Sequence, residues 1–168
     1  MKLIIIITGI PGTGKTKVSA ELAKLLNRKA KVKFKVLHLN AAILRRKLWS
    51  SIDEKRKSKN VNMKKLRKFV SAEIRKSPNL IIESHLAHYF KADIVFVMRT
   101  GIDELRGRMK TRGWGKAKVE ENLEAERLNL ILGEALDIHN KKVFEIDTTG
   151  KTSKAVAVGM LGQIVRFQ

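Results

Sequence analysis

GIPGTGKT, residues Gly9–Thr16, decides the architecture of this chain. The stretch fits G-x-x-x-x-G-K-[ST], the P-loop pattern, in which a curled backbone aims its N–H groups at phosphate oxygens. Before it, Leu3–Ile7 is a five-residue apolar run that reads as a buried strand. After it, Val18, Leu22, Leu25 and Leu26 recur at helical spacing. The loop therefore sits where a strand turns into a helix. Gly9, Gly12 and Gly14 let the chain curl, and the loop's amides lie at the positive end of the helix dipole. Lys15 is placed to reach the β- and γ-phosphates, and the Thr16 hydroxyl to coordinate Mg²⁺. The expectation is a nucleoside-triphosphate site.

The 168 residues suffice for one domain with a real core. With no cysteine, disulfides and thiolate zinc sites are excluded. Met1–Ile7 is too short for a signal-peptide core or a membrane span, so a cytoplasmic protein with no membrane partner is expected. The formal charge of +20 is extreme for a metabolic enzyme. Two readings of it stand: a field that attracts nucleic acid, or a lysine-covered solvated surface. Aromatic residues make up 5% of the chain, too few for a base-stacking platform, so phosphate attraction is the supported form of the first reading.

No repeat, low-complexity segment or linker divides the chain. Strands are expected at 2–8, 33–39, 79–83, 93–98 and 142–147, and helices at 15–28, 40–48, 63–76, 101–111, 117–138 and 151–166. This alternation predicts an α/β fold with a five-stranded parallel sheet covered by helices on both faces. Ligands in such sheets bind beyond the carboxyl ends of the strands. That gathers the P-loop, the segment after Leu39, Glu83–His85, Arg99 and Asp147–Gly150 around one crevice. Residues 49–62 are polar and weakly periodic, and 111–118, TRGWGKAK, form a basic turn with two glycines. Both are placed where covers over a site belong.

Glu83 ends an apolar strand, the position from which a carboxylate holds Mg²⁺ through water in P-loop enzymes. His85, two residues on, is directed to the same side of the extended chain. Arg106, Arg108 and Arg112 lie around the end of the 101–111 helix. Phosphoryl transfer needs cations around the moving group, and Arg offers a fork that never deprotonates. Arg112 precedes Gly-Trp-Gly and is the candidate lid arginine, with Arg108 one turn earlier on the same face. Trp114 reads as an anchor for the lid's own packing.

The ordered set GIPGTGKT, IIESH, FVMRT, LRGRMKTRGWGKAKVEENLEAE and IDTTG resembles the small adenylate-kinase-like family, across nearly the whole chain. That family includes archaeal adenylate kinases and the eukaryotic nuclear adenylate kinase of small-subunit ribosome maturation. The resemblance implies a nucleoside-monophosphate-kinase fold, residues 1–168, with an acceptor-binding insert at 39–65 and a short lid at 111–121. It also implies transfer from ATP to AMP, an accompanying ATPase activity, and partners in a small-subunit ribosomal protein and RNA. A monomer is expected. Gly12, Thr13, Gly14, Lys15, Thr16 and Lys17 fall on the family's ATP-phosphate positions, Arg112 on its lid arginine and His85 on its strand-end histidine. Thr16 and Glu83 are the metal candidates. The family carries Asp where Glu83 stands, and an acidic insert where this chain keeps Asp53 and Glu54 among Lys55, Arg56, Lys57 and Lys59. Asn40 and Arg45 are candidates for holding the acceptor. Two alternatives remain open: an ATPase assembly factor bound to a ribosomal protein and RNA, and a kinase of another small acceptor.

Overall fold

The structure, a computed structural model, describes residues 2–30, 32–54 and 58–167, so Lys55, Arg56 and Lys57 lie outside the described residues. In chain order it runs β1 (Leu3–Thr8), α1 (Lys15–Ala30), β2 (Lys35–His38), α2 (Leu39–Arg45), β3 (Trp49–Asp53) and β4 (Ser58–Val61). It continues with α3 (Met63–Lys76), β5 (Asn79–Glu83), β6 (Ile94–Arg99), α4 (Ile102–Thr111) and α5 (Lys116–Arg127), then α6 (Leu130–His139), β7 (Val143–Asp147) and α7 (Ser153–Phe167). Five strands form one sheet in the order β2-β5-β1-β6-β7, every pairing parallel.

The run LIIIIT becomes the central strand because all six of its residues are buried. Successive side chains of a strand point to opposite faces, so one apolar run serves two cores. Ile4 and Ile6 pack into the cluster built with α2 to α6, including Leu66, Leu105 and Leu123. Leu3, Ile5 and Ile7 pack with Val18 and Leu22 of α1 and Ala157 and Met160 of α7. With β5 on one side and β6 on the other, β1 delivers the chain directly to the P-loop at the sheet's carboxyl edge.

Three elements differ from the sequence expectation. Residues 49–62 contain an antiparallel hairpin, β3 paired with β4, although their polar composition gave no strand period. Most β3 side chains are exposed, so apolar residues do not alternate; Trp49 and Val61 pack toward the core, with the Lys59 ammonium 4.5 Å from the Trp49 ring centre. The helix expected at 40–48 stops at Arg45, and Lys47 takes the left-handed region at φ 51° before the hairpin. The helix expected at 117–138 is two helices, broken at Asn129, whose φ is 54°. Asn tolerates that conformation better than most residues, and a helical apolar period continues across such a break unaltered.

Candidate functional site

The crevice above the sheet's carboxyl edge has a volume of about 2100 Å³ and is floored by the P-loop. A single small ligand fills roughly 300–1,000 Å³, so there is room here for two. Gly12, Thr13, Gly14, Lys15, Thr16 and Lys17 all line it, as do Glu83, His85, Arg108 and Arg112.

The loop's glycines are needed for two separate reasons. Gly9 has φ 136°, and a Cβ there would lie 2.4 Å from the Met98 carbonyl oxygen of the neighbouring strand. Gly12 has φ 102°, and its Cβ would meet Leu105 at 2.8 Å. The loop is thus pressed against β6 and α4 by residues without side chains. Thr13 is buried, and its hydroxyl donates to the Ile10 carbonyl at 2.9 Å, closing the turn on itself.

Lys15 is 7% exposed, and its ammonium donates to the carbonyls of Gly9 at 2.9 Å and Ile10 at 3.0 Å. Burial pulls its pKa from 10.5 down to about 8, against the opposing pull of Glu83 and with a further lowering by Arg112. A desolvated cation whose hydrogen bonds go to two neutral carbonyls favours an anion close by.

Glu83 is buried at the end of β5. Its Oε1 accepts from the Thr16 hydroxyl at 3.3 Å and from Nδ1–H of His38 at 2.8 Å. Carboxylate and hydroxyl therefore converge beside the phosphate loop, a donor set of hard oxygens that suits Mg²⁺. Among the described residues no group of three or more His, Asp or Glu is built to hold a metal, so an ion there would draw its remaining ligands from phosphate and water. His38 was missed from the sequence because nothing local to β2 marks it; the parallel register that sets His38 opposite Glu83 brings it in.

His85 follows β5 and lines the crevice. Burial lowers its pKa from 6.5 to about 4, with Lys15 next in effect, so the imidazole is neutral at pH 7. Arg108 donates from Nη1 to the Gly12 carbonyl at 3.2 Å and pairs through Nη2 with Glu104. Arg112, the C-cap of α4, is exposed and lines the crevice near Lys15. Trp114 packs against the core, with the Lys118 ammonium 4.4 Å from its ring centre. Lys59 and Lys118, from the two segments expected to cover the site, line the crevice.

Three candidates fall elsewhere. Arg99 does not line the crevice: its Nε donates to Glu126 at 2.7 Å and its Nη1 to Glu145 at 3.0 Å. Arg106 pairs with Glu120 of α5. Arg45 is exposed on α2 outside the lining, whereas Asn40 lines the crevice and accepts from the Ser84 hydroxyl at 2.9 Å.

The chain is similar to known proteins in sequence and in fold. Residues 5–129 match a family model described as an AAA domain. The chain is 44% identical over 161 residues to a Methanosarcina acetivorans protein named "Putative adenylate kinase", covering 92% of this chain and 82% of that one. A Pyrococcus furiosus protein of the same name is 38% identical over 162 residues, covering 96% and 84%. Among solved structures, shikimate kinase from Acinetobacter baumannii in complex with shikimate superposes with a TM-score of 0.68 at 19% identity, covering 99% of this chain and 94% of that one. Deoxyadenosine kinase from M. mycoides with bound dATP gives 0.62 at 15% identity, covering 98% and 100%. At such identities these two show the fold alone. No helix among the described residues is long and apolar enough to cross a membrane. The identity to these relatives over more than nine-tenths of the chain, together with the domain match, shows that the chain belongs to the adenylate-kinase-like family of P-loop nucleotide kinases.

Proposed function

We propose that the chain transfers the γ-phosphoryl group of Mg-ATP to AMP, yielding two ADP. The observation that carries this reading is a crevice of about 2100 Å³, large enough for two nucleotides, with Lys15, Arg108 and Arg112 along one lining. The donor's phosphates enter the nest of amides from Gly12 to Thr16, and Lys15 exchanges its two carbonyl partners for β- and γ-oxygens. Thr16 directly, and Glu83 through water, would hold Mg²⁺, which neutralises charge on those oxygens. An acceptor phosphate oxygen forms a bond to the γ-phosphorus as the bond to the bridging β,γ-oxygen breaks, and ADP leaves. Arg112, at the end of α4, stabilises the charge of the moving group. Neutral His85 offers a hydrogen bond to the acceptor side without adding charge.

In this reading residues 1–168 work as one kinase domain. The segment 39–65 holds the acceptor, with Asn40 at its edge, and 111–121 acts as the lid that excludes water before transfer. Without acceptor, water takes its place and the chain acts as an ATPase. ADP formation from ATP with each nucleoside monophosphate, compared with phosphate release in its absence, tests the proposal. Phosphate release alone, with no acceptor giving ADP in excess, would overturn it.

The charge of +20 favours a second role beside the first, as an ATP-gated factor in small-subunit ribosome maturation bound to a ribosomal protein and RNA. Binding to structured RNA should then weaken linearly in log–log salt titrations, with a slope of about −0.7 to −0.9 per neutralised phosphate. No RNA binding at low salt would remove this role.

A further inference from the structure

Glu134 is a crevice carboxylate with no part in the chemistry above. Glu134 of α6 lines the crevice with its side chain 36% exposed. Its Oε2 accepts from Nε2–H of His88 at 2.9 Å and from the Tyr89 hydroxyl at 3.0 Å. A carboxylate only accepts, so His88 carries its proton on Nε2. The opposite ring nitrogen lies 3.1 Å from the hydroxyl of Thr8, the last residue before the P-loop, and His88 itself is 1% exposed. Glu134 is thereby clamped, through a buried ring, to the strand that positions the phosphates. No hydrogen bond to its Oε1 is found among the described residues.

The surroundings suit a planar ring. Leu86, Leu130 and Ile131 line the same wall, and Leu130 is 51% exposed, a large apolar side chain uncovered inside a crevice. His88 and Tyr89 follow β5, which lies between β1 and β2, on the side of the P-loop from which Asn40 and Val61 also reach in. The loop after β7, with Thr148 and Lys151, lines the opposite side.

We propose that Glu134 reads the 6-position of the acceptor's purine base, accepting from an amino group and turning away a carbonyl. The inference rests on a nucleoside monophosphate being the acceptor in this crevice. An exocyclic amino group donates to Oε1, while a 6-carbonyl in the same place would set one acceptor against another.

The test compares AMP with IMP on the whole chain, by equilibrium binding and by ADP formation, for the wild type, Glu134→Gln and Tyr89→Phe. The wild type should favour AMP about tenfold to a hundredfold, the range for one charged hydrogen bond. In Glu134→Gln the donors His88 and Tyr89 hold the amide oxygen in the place of Oε2, so the NH₂ takes the place of Oε1. The preference should then invert toward IMP, with the KM for ATP changed less than about twofold; a role confined to packing would move both nucleotides together. Tyr89→Phe loosens the clamp and should shrink the AMP preference without inverting it; should Glu134→Gln fail to fold, an unchanged ratio in Tyr89→Phe overturns the proposal. Equal ratios in wild type and Glu134→Gln, or a wild type indifferent to the 6-position, also overturn it. Binding that discriminates without transfer to any monophosphate would sink the kinase reading and leave Glu134 supported, and a chain that binds neither AMP nor IMP would overturn both.

Discussion

The imidazole of His38 lies 2.8 Å from the carboxylate of Glu83, on the same oxygen that the Thr16 hydroxyl reaches at 3.3 Å. Two donors on one oxygen orient the carboxylate and leave Oε2 for water. Glu83→Gln keeps the shape and removes the charge, so the Mg²⁺ concentration for half-maximal rate should rise about tenfold or more. His38→Gln should raise it less, through looser positioning alone. Metal titrations of both variants check this, and an unchanged Mg²⁺ dependence in Glu83→Gln would return Glu83 to a structural role.

Lys15 is a buried cation that donates to the carbonyls of Gly9 and Ile10. Lys15→Met should cut turnover about 10²- to 10³-fold, as expected for removal of one preorganised electrostatic contact. Because burial disfavours the charge, the variant should melt no lower than the wild type. Near-normal turnover in a folded variant would refute the phosphate role.

Arg108 and Arg112 share a helix face but not a situation. Arg112→Ala should slow transfer about a hundredfold or more while moving the KM for ATP less than about threefold, if the arginine serves the transition state. Arg108→Ala also removes the bond to the Gly12 carbonyl, so it should weaken ATP binding as well. Steady-state kinetics with calorimetry separate the two, and proportional losses in both parameters for Arg112→Ala would make it a ground-state contact.

Glu126 is 4% exposed and takes Nε of Arg99 at 2.7 Å and the amide of Thr100 at 3.2 Å, fastening the end of α5 to the end of β6. Arg99 keeps Glu145 as a partner while the Thr100 amide loses its acceptor, so Glu126→Ala should cost about 1–3 kcal/mol in denaturant unfolding. A loss below about 1 kcal/mol would show that water replaces the contact.

Acid stability should report on His85. Its pKa in the fold is about 4 against an ordinary 6.5. Between those values the unfolded chain binds a proton that the folded chain refuses, so stability falls as pH drops through that window and is unaffected above it. His88, also lowered by burial, acts in the same direction. Urea unfolding of His85→Gln should show a shallower acid loss, by at most about 1.4 kcal/mol per pH unit. An unchanged slope would mean that His85 stays solvated.

The sequence by itself determined the central strand, the phosphate loop and the parallel architecture. Those features are local: five consecutive apolar residues, glycines at set offsets and a helical period can be read within a few turns of chain. Glu83 was legible for the same reason, as an acid at the end of an apolar strand. The hairpin was not, because strands with exposed side chains carry no alternation, and the break at Asn129 was not, because one left-handed residue leaves the apolar period intact. Arg99 was misassigned to the crevice because its position at a strand end does not say which acid will claim it; Glu126, 27 residues later, does. His38 beside Glu83 and the His88–Glu134 clamp join groups 45 and 46 residues apart. Such pairings depend on strand order and helix packing, which no local pattern encodes, so only the tertiary structure decided them.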